Sequence, residues 1–552
     1  MQNERNYEKN GEAEPRDPYQ LVFIDPQLIR SAVATVEQQR ENLQELIARA
    51  EDSDMEAKHQ LALRYYRGTG GVKQDYDKAF YWFWQAAEQG DLSAQYNLGV
   101  CYENGIGTER DYEKAASLYR EAAEAGLPSA QCALGLCYET GQGTEMDQDR
   151  AAELYLWAAE QDYAPAQCNL GFFYYRGIAV EEDAGQAAEW FAKAAGQGYP
   201  RAQFLLGECS EYAHGVEQDM ERALGLYRQA AEQDYAPAQC NLGYCYYSGT
   251  GVEEDYGEAA GWFQKGARQE HSRSQCLLGL CYENGHGVKE DKAKAAELYR
   301  QAAEQDYAPA QCNLGYCYYN GIGVEENHEA AAGWFAKAAE QKYPRAQYLL
   351  GDCYENGHGV EKDPARAAEL YGAAAEQDYP DARCALGILY EYGIGVEQDK
   401  AKAAALYRAA AEQDYAPAQC NLGYCYYCGI GVEENNGEAA GWFAKASEQN
   451  YPRAQCMLGV CYENGHGVKE DKVRAAELYR GAAVQGYAPA QCNLGYFYYT
   501  GVGVEENNEE AAVWFAKAAE RKYPRAQYLL GACYENGYGV EKDPARAAEL
   551  YG

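Results

Sequence analysis

In residues 308–343 the apolar positions Ala310, Leu314 and Tyr318 recur four apart, and the run stops at Gly321. A spacing of four draws one stripe along a helix of about three turns, with Pro309 in the opening turn, where a missing N–H costs nothing. Gly321 can take the left-handed conformation that closes a helix, and Gly321-Ile322-Gly323-Val324 then turns the chain. Asn327 offers a short acceptor to cap a second helix, whose apolar face is Ala331, Trp334, Phe335, Ala338 and Ala339. The pattern predicts two helices, A and B, joined by a tight reversal.

The same pattern recurs with a fixed step. A Leu-Gly pair places its glycine at Gly99, Gly135, Gly171 and onward to Gly531, always 36 residues apart, and a degenerate first copy at Ala62 is one residue out of register, which makes fourteen copies. Asp or Asn stands twelve residues after each such glycine, from Asp111 to Asp543, and Pro364 and Pro544 follow two of these caps. One helix pair cannot bury its own apolar face, so each must stack on its neighbours. The expected fold is all-α: a right-handed α–α superhelix, or solenoid, of about fourteen 36-residue helix-turn-helix repeats.

Residues 57–552 form this array, with the last repeat incomplete: its helix B stops at AAELYG without a polar terminal cap, so a truncated or frayed end is expected there. Residues 1–25 have the composition of a disordered segment. In residues 26–56, Asp25 and Pro26 open a helix whose seam is Ile29, Val33, Val36, Leu43, Ile47 and Ala50, read as a cap on the first repeat. The alternative is a coiled coil that dimerises the chain through residues 26–52, weakened by Arg40 in the seam.

Two kinds of repeat mostly alternate. One carries Cys-Asn-Leu-Gly and a helix B ending Trp-Phe-Ala-Lys; the other reads CYENGHGV and AAELYR. Residues 344–372 and 524–552 match at nearly every position, which suggests recent duplication and weakens recurrence as a sign of function.

A-x-x-L-G-x-x-Y, then G-x-G-V, then Asp, an aromatic pair and K-A-A-E-Q resembles the Sel-one-like repeat family, relatives of the tetratricopeptide repeat. The residues that match include Ala94, Leu98, Gly99, Tyr102, Gly105, Gly107, Asp111, Ala115 and Ala122. The resemblance implies an adaptor that holds proteins together without chemistry of its own. Some cysteine-rich relatives are secreted, carry a disulfide from one helix B to the next helix A, and are described as β-lactam binding or hydrolysing. This chain departs from them, because its cysteines lie almost wholly on helix A while the helix B ends read AAEQDY. Cys240 and Cys245, five apart on one helix, point about 140° apart and beyond disulfide reach, so reduced thiols are expected.

With 48 Lys plus Arg against 86 Asp plus Glu the formal charge is -38, which repels phosphates and anionic lipid heads and excludes nucleic acid as a partner. No apolar run is long enough to cross a bilayer and the N-terminus has no apolar signal core, so a cytoplasmic chain without membrane insertion is expected, although an unconventional export signal in residues 1–25 would make it a host-interaction protein. The zinc-protease, acyl-serine and nucleotide motifs are missing, so no catalytic residue, metal ligand or cofactor is assigned. His286, His358 and His466 fall in separate Gly-His-Gly turns and are expected to be exposed; the one C-x-x-C, Cys425 with Cys428, is read as surface drift.

The candidate partner surface is on helix A, which usually lines the concave wall in folds of this kind. Counting 100° per residue from Ala310, Cys312, Tyr316 and Tyr319 point away from the core stripe. One kind of repeat offers Tyr175, Tyr244 with Tyr247, Tyr316 with Tyr319, Tyr424 with Tyr427 and Tyr496 with Tyr499; the other offers Glu283, Glu355, Glu391, Glu463 and Glu535 at the last-turn position. Such rungs suit a protein or peptide carrying apolar anchors and Lys or Arg. The competing account packs the tyrosines between repeats and leaves the glutamates solvated. The expected function is a noncatalytic scaffold, with a β-lactam-active enzyme as the alternative.

Overall fold

The computed structural model describes residues 43–551 as one lone helix, Leu43–Glu51, followed by fourteen sequential helix pairs, with no strand among the described residues. In the copy from 308 to 343, helix A is Ala308–Asn320 and helix B is His328–Glu340. The ends form where the sequence places them. Asn327 Oδ1 accepts from the Ala330 N–H at 2.9 Å, and Gly321 closes helix A at φ 66°. The first copy is out of register because its turn, Gly68 to Val72, carries one extra residue before the capping Asp75.

In most repeats two glycines are fixed by close approach; Ala179 holds the second position in one copy at φ 56°. A Cβ on Gly315 would stand 2.7 Å from the Phe335 ring of helix B, and one on Gly351 would stand 2.6 Å from Tyr371. In the turn, Gly323 has φ 69° and lies against the Lys292 carbonyl at the start of the preceding helix B, where no side chain fits.

The chain divides into two compact units, one ending at Asp291 and the other beginning at Lys292. In the first, the lone helix buries Leu46 and Ala50 against Ala57 and Leu61, with Leu43, Ile47, Tyr65 and Trp82 around them. Burying a leucine of this kind contributes roughly 1.5–3 kcal/mol. Leu46, absent from the expected seam, is buried, while Leu43 and Ile47 are only partly covered. Residues 1–42, with Asp25, Pro26, Ile29, Val33, Val36 and Arg40 and the disordered, capping and dimer expectations that rest on them, lie outside the described residues.

In the second unit each core joins a helix B to the helices A on either side of it, as where Ala403 and Tyr407 meet Cys384, Ala418 and Leu422. Helix A is therefore covered on two sides. That corrects the placement of Cys312, which is buried rather than turned outward. All 20 cysteines are free thiols, 19 of them buried and Cys428 exposed. A buried amide ladder completes the stack: Gln311 Nε2 donates to the Ala303 carbonyl at 3.2 Å, and its Oε1 accepts from Gln341 at 2.9 Å.

Candidate functional site

The last turn of helix A differs between the two kinds of repeat, and the difference is chemical. Where it carries Glu, helix B carries a buried Tyr whose hydroxyl donates to that carboxylate: Tyr371 to Glu355 at 2.8 Å, Tyr407 to Glu391 at 2.7 Å and Tyr479 to Glu463 at 2.5 Å. Glu535 likewise accepts from Tyr551 at 3.0 Å, and Glu283 is half-buried. Burial, reinforced by the neighbouring carboxylate, holds the phenols of Tyr371, Tyr407 and Tyr479 well above the ordinary tyrosine range.

Where that turn carries Tyr, helix B has Phe, and the tyrosine reaches the next repeat instead. Tyr175 meets His214 Nδ1 at 3.0 Å and Tyr247 meets His286 at 2.9 Å in the first unit. Tyr319 meets His358 at 2.6 Å and Tyr427 meets His466 at 3.0 Å in the second, while Tyr499 packs edge-on to Tyr538. Burial and the nearby Asp352 push Tyr319 up to about 12. The turn histidines are thus half-buried partners of tyrosine rather than exposed side chains.

The other tyrosine of each pair stays nearer to solvent. Tyr316 and Tyr496 are 37% and 38% exposed, and Tyr244 and Tyr424 are half-buried. Each meets an arginine of the next repeat: Arg273 lies 5.9 Å from the Tyr244 ring, Arg345 5.6 Å from Tyr316, and Arg453 and Arg525 each 5.7 Å from Tyr424 and Tyr496. The same arginines donate to asparagine, as Arg345 does to Asn313 Oδ1 at 2.8 Å and Arg453 to Asn421 Oδ1 at 2.9 Å.

A family model for the Sel1 repeat matches fourteen consecutive segments, from 56–91 to 524–552. The chain belongs to the Sel1 repeat family. Among solved structures it is similar to a protective antigen of uropathogenic Escherichia coli displaying an SLR fold, at 35% identity over 79% of this chain and 96% of that one, with a TM-score of 0.56. A Sel1 repeat protein from Oxalobacter formigenes is 33% identical over 44% of this chain and 94% of its own, with a TM-score of 0.41. No curated protein matches the chain.

Sequence reasoning missed the arginines of these Sel1 repeats, though the signal was present. Each of Arg201, Arg273, Arg345, Arg453 and Arg525 follows by 32 residues an asparagine of a Cys-Asn-Leu-Gly segment. Beyond the first copies, at the corresponding place where no asparagine precedes, the residue is Pro165, Pro237, Pro309, Pro417, Pro489 or Asp381. The first copies hold a different polar group, buried His59 between Asp91 at 2.9 Å and Asn97 at 3.0 Å; Asp91 also caps the helix that follows, so these three residues tie repeats together. Among the described residues no group of three or more His, Cys, Asp or Glu is placed to hold a metal ion, and no helix is long and apolar enough to cross a membrane.

Proposed function

We propose that this Sel1 repeat chain is a noncatalytic scaffold that holds a partner protein or peptide against the outward face of helix A. The observation that carries the proposal is the half-exposed set at one helix A position: Tyr244 and Leu280 in the first unit, and Tyr316, Ile388, Tyr424, Val460 and Tyr496 in the second, interrupted there by Asp352. Large, rigid side chains repeated along an array supply contact area at low entropic cost, which suits apolar anchors on the partner.

The formal charge of -38 favours a partner of net positive charge, whose Lys and Arg meet the exposed loop carboxylates such as Glu325 and Glu433. Glu355, Glu391 and Glu463 each already accept a phenol and are poorer candidates for that role. Tyr247, Tyr319, Tyr427 and Tyr499 reach into the next repeat, so the partner-facing set narrows to Tyr244, Tyr316, Tyr424 and Tyr496. Twenty free thiols favour the reducing cytoplasm. They also leave the β-lactam alternative without the helix B to helix A disulfides of the relatives that suggested it.

The test is a crosslinking pull-down comparing the intact array with a variant carrying Tyr316→Ala, Tyr424→Ala and Tyr496→Ala, both checked for helical content. A partner lost only by the variant supports the helix A face. Retention of every partner by a folded variant rejects it.

A further inference from the structure

Arg453 is out of character for this molecule. The chain carries 86 carboxylates against 48 Lys and Arg, yet among the described residues Arg453 forms no ion pair. Its guanidinium is half-buried, and the titratable groups that dominate its surroundings are the Cys420 thiol and the phenols of Tyr451, Tyr487 and Tyr392. One donor goes to the Asn421 side-chain oxygen Oδ1 at 2.9 Å, and the guanidinium carbon lies 5.7 Å from the centre of the Tyr424 ring. A guanidinium has five donors in a planar fork. Burying that charge costs free energy that one amide oxygen and one ring only partly offset, and a carboxylate offsets it best.

The surface beside it is also unusual. This is the one place in the second unit where two repeats of the Glu kind follow each other, 344–379 and 380–415. The second of them ends its helix A with Tyr392, where the other repeats of that kind in the unit carry Asn356, Asn464 and Asn536. Tyr392 is 64% exposed, and Ile388, one turn earlier, is 36% exposed. Helices Pro380–Tyr392, Ala416–Cys428 and Pro452–Asn464 thus bring an aliphatic residue, two tyrosines and Arg453 to one stretch of the helix A face, where the one nearby carboxylate, Glu391, is engaged by the phenols of Tyr392 and Tyr407 and forms no ion pair with Arg453.

We propose that Arg453, with Tyr392 and Tyr424 beside it, binds a carboxylate of the partner, the side chain of an Asp or Glu, while Ile388 and Tyr392 take an adjacent apolar side chain. The proposal rests on the helix A face being the partner surface and names one element of the partner that this stretch recognises. It is compatible with a partner of net positive charge, because at physiological salt the field of the other carboxylates is screened over about 8 Å, whereas a carboxylate on Arg453 acts at contact.

The experiment uses the full chain labelled with ¹⁵N-arginine, the Arg453 Nε signal being assigned by its loss in Arg453→Lys. The probes are the acetylated, amidated peptide Leu-Phe-Glu-Leu and its counterpart with Gln in place of Glu. The Glu peptide is expected to shift the Arg453 signal and to bind about tenfold more tightly than the Gln peptide. Arg453→Lys, checked for unchanged helical content, is expected to remove most of that preference, because an ammonium lacks the planar fork. Tyr392→Ala is expected to weaken both peptides alike. Equal affinity for the two peptides, or a preference that survives Arg453→Lys, overturns the carboxylate assignment. So does a phosphoserine version binding when the Glu peptide does not, which would make phosphate the ligand. Equal binding by both peptides that is lost with Tyr316→Ala, Tyr424→Ala and Tyr496→Ala would sink the carboxylate alone and keep the scaffold. A Glu preference at Arg453 beside a pull-down that the same tyrosine changes leave intact would sink the wider surface instead.

Discussion

The hydroxyl of Tyr371 on helix B donates to the carboxylate of Glu355 on helix A across 2.8 Å, inside a single repeat. In the repeat before it, the equivalent residues are Phe335 and Tyr319, and the bond is replaced by ring packing at 6.5 Å and a reach to His358. Two positions thus change together: a phenol appears on helix B only where an acceptor waits on helix A. Phe335→Tyr should therefore strand a buried hydroxyl and cost about 1–3 kcal/mol. Adding Tyr319→Glu should recover part of that loss by restoring the acceptor. Urea midpoints of the two single variants and the double variant check this, and a double no more stable than the sum of the singles would refute the coupling.

The repeat length, the caps, the turn glycines and the all-helical array were legible because each rests on local chemistry: Asn327 caps its own helix and Gly321 closes its own. Cys312 was misplaced because a 100° count sees one helix and one neighbour, while this helix A packs on two sides. The tyrosine pairs looked equivalent in sequence. Only the stacking of successive repeats separates Tyr319, spent on His358, from Tyr316, left at the surface. The arginine partners were encoded at a separation of 32 residues, a correlation between repeats that no helix-by-helix count reveals.

The pairing of Asn313 with Arg345 predicts the stability of a junction between repeats. The bond at 2.8 Å involves a charged donor, so Asn313→Leu should cost about 1.5–3 kcal/mol. Because the loss includes this bond to a half-buried arginine, Asn313→Leu combined with Arg345→Pro, the residue found where no asparagine precedes, should be less destabilised than the sum of the two single changes. Thermal unfolding of the four proteins of the cycle measures the coupling.

The buried thiols set an alkaline limit. Burial pushes Cys353, Cys384, Cys425 and Cys456 up to about 12 and Cys461 to about 11, against about 8.5 for a free thiol. A folded pKa above the unfolded one contributes stability that is complete below pH 8.5 and is lost as pH rises, here at about 1.4 kcal/mol per thiol per pH unit until the folded value is reached. The raised phenols of Tyr371 and Tyr407 add a second loss above about pH 10. The Tm should be flat between pH 7 and 8 and fall steeply from pH 9. Cys353→Ala with Cys461→Ala should lower the Tm at neutral pH yet make the alkaline slope shallower, and an unchanged slope would count against the thiols as its origin.

Cys428 should be chemically distinct from the other nineteen cysteines. It is exposed at the end of helix Ala416–Cys428, whereas Cys425, one turn earlier, is buried with its thiol pushed up to about 12. The thiolate is the reactive form, so burial protects Cys425 twice, by denying access and by disfavouring ionisation. An aromatic disulfide reagent at pH 7.5 should therefore release one equivalent rapidly from the native protein and approach twenty in denaturant. Cys428→Ser should abolish the fast phase and leave the unfolding free energy within about 0.5 kcal/mol of the parent, as expected for a surface change. A fast phase of several equivalents would mean that repeats open locally to expose their cores. Such opening should then fall off toward the middle of the array, where each repeat is held by neighbours on both sides.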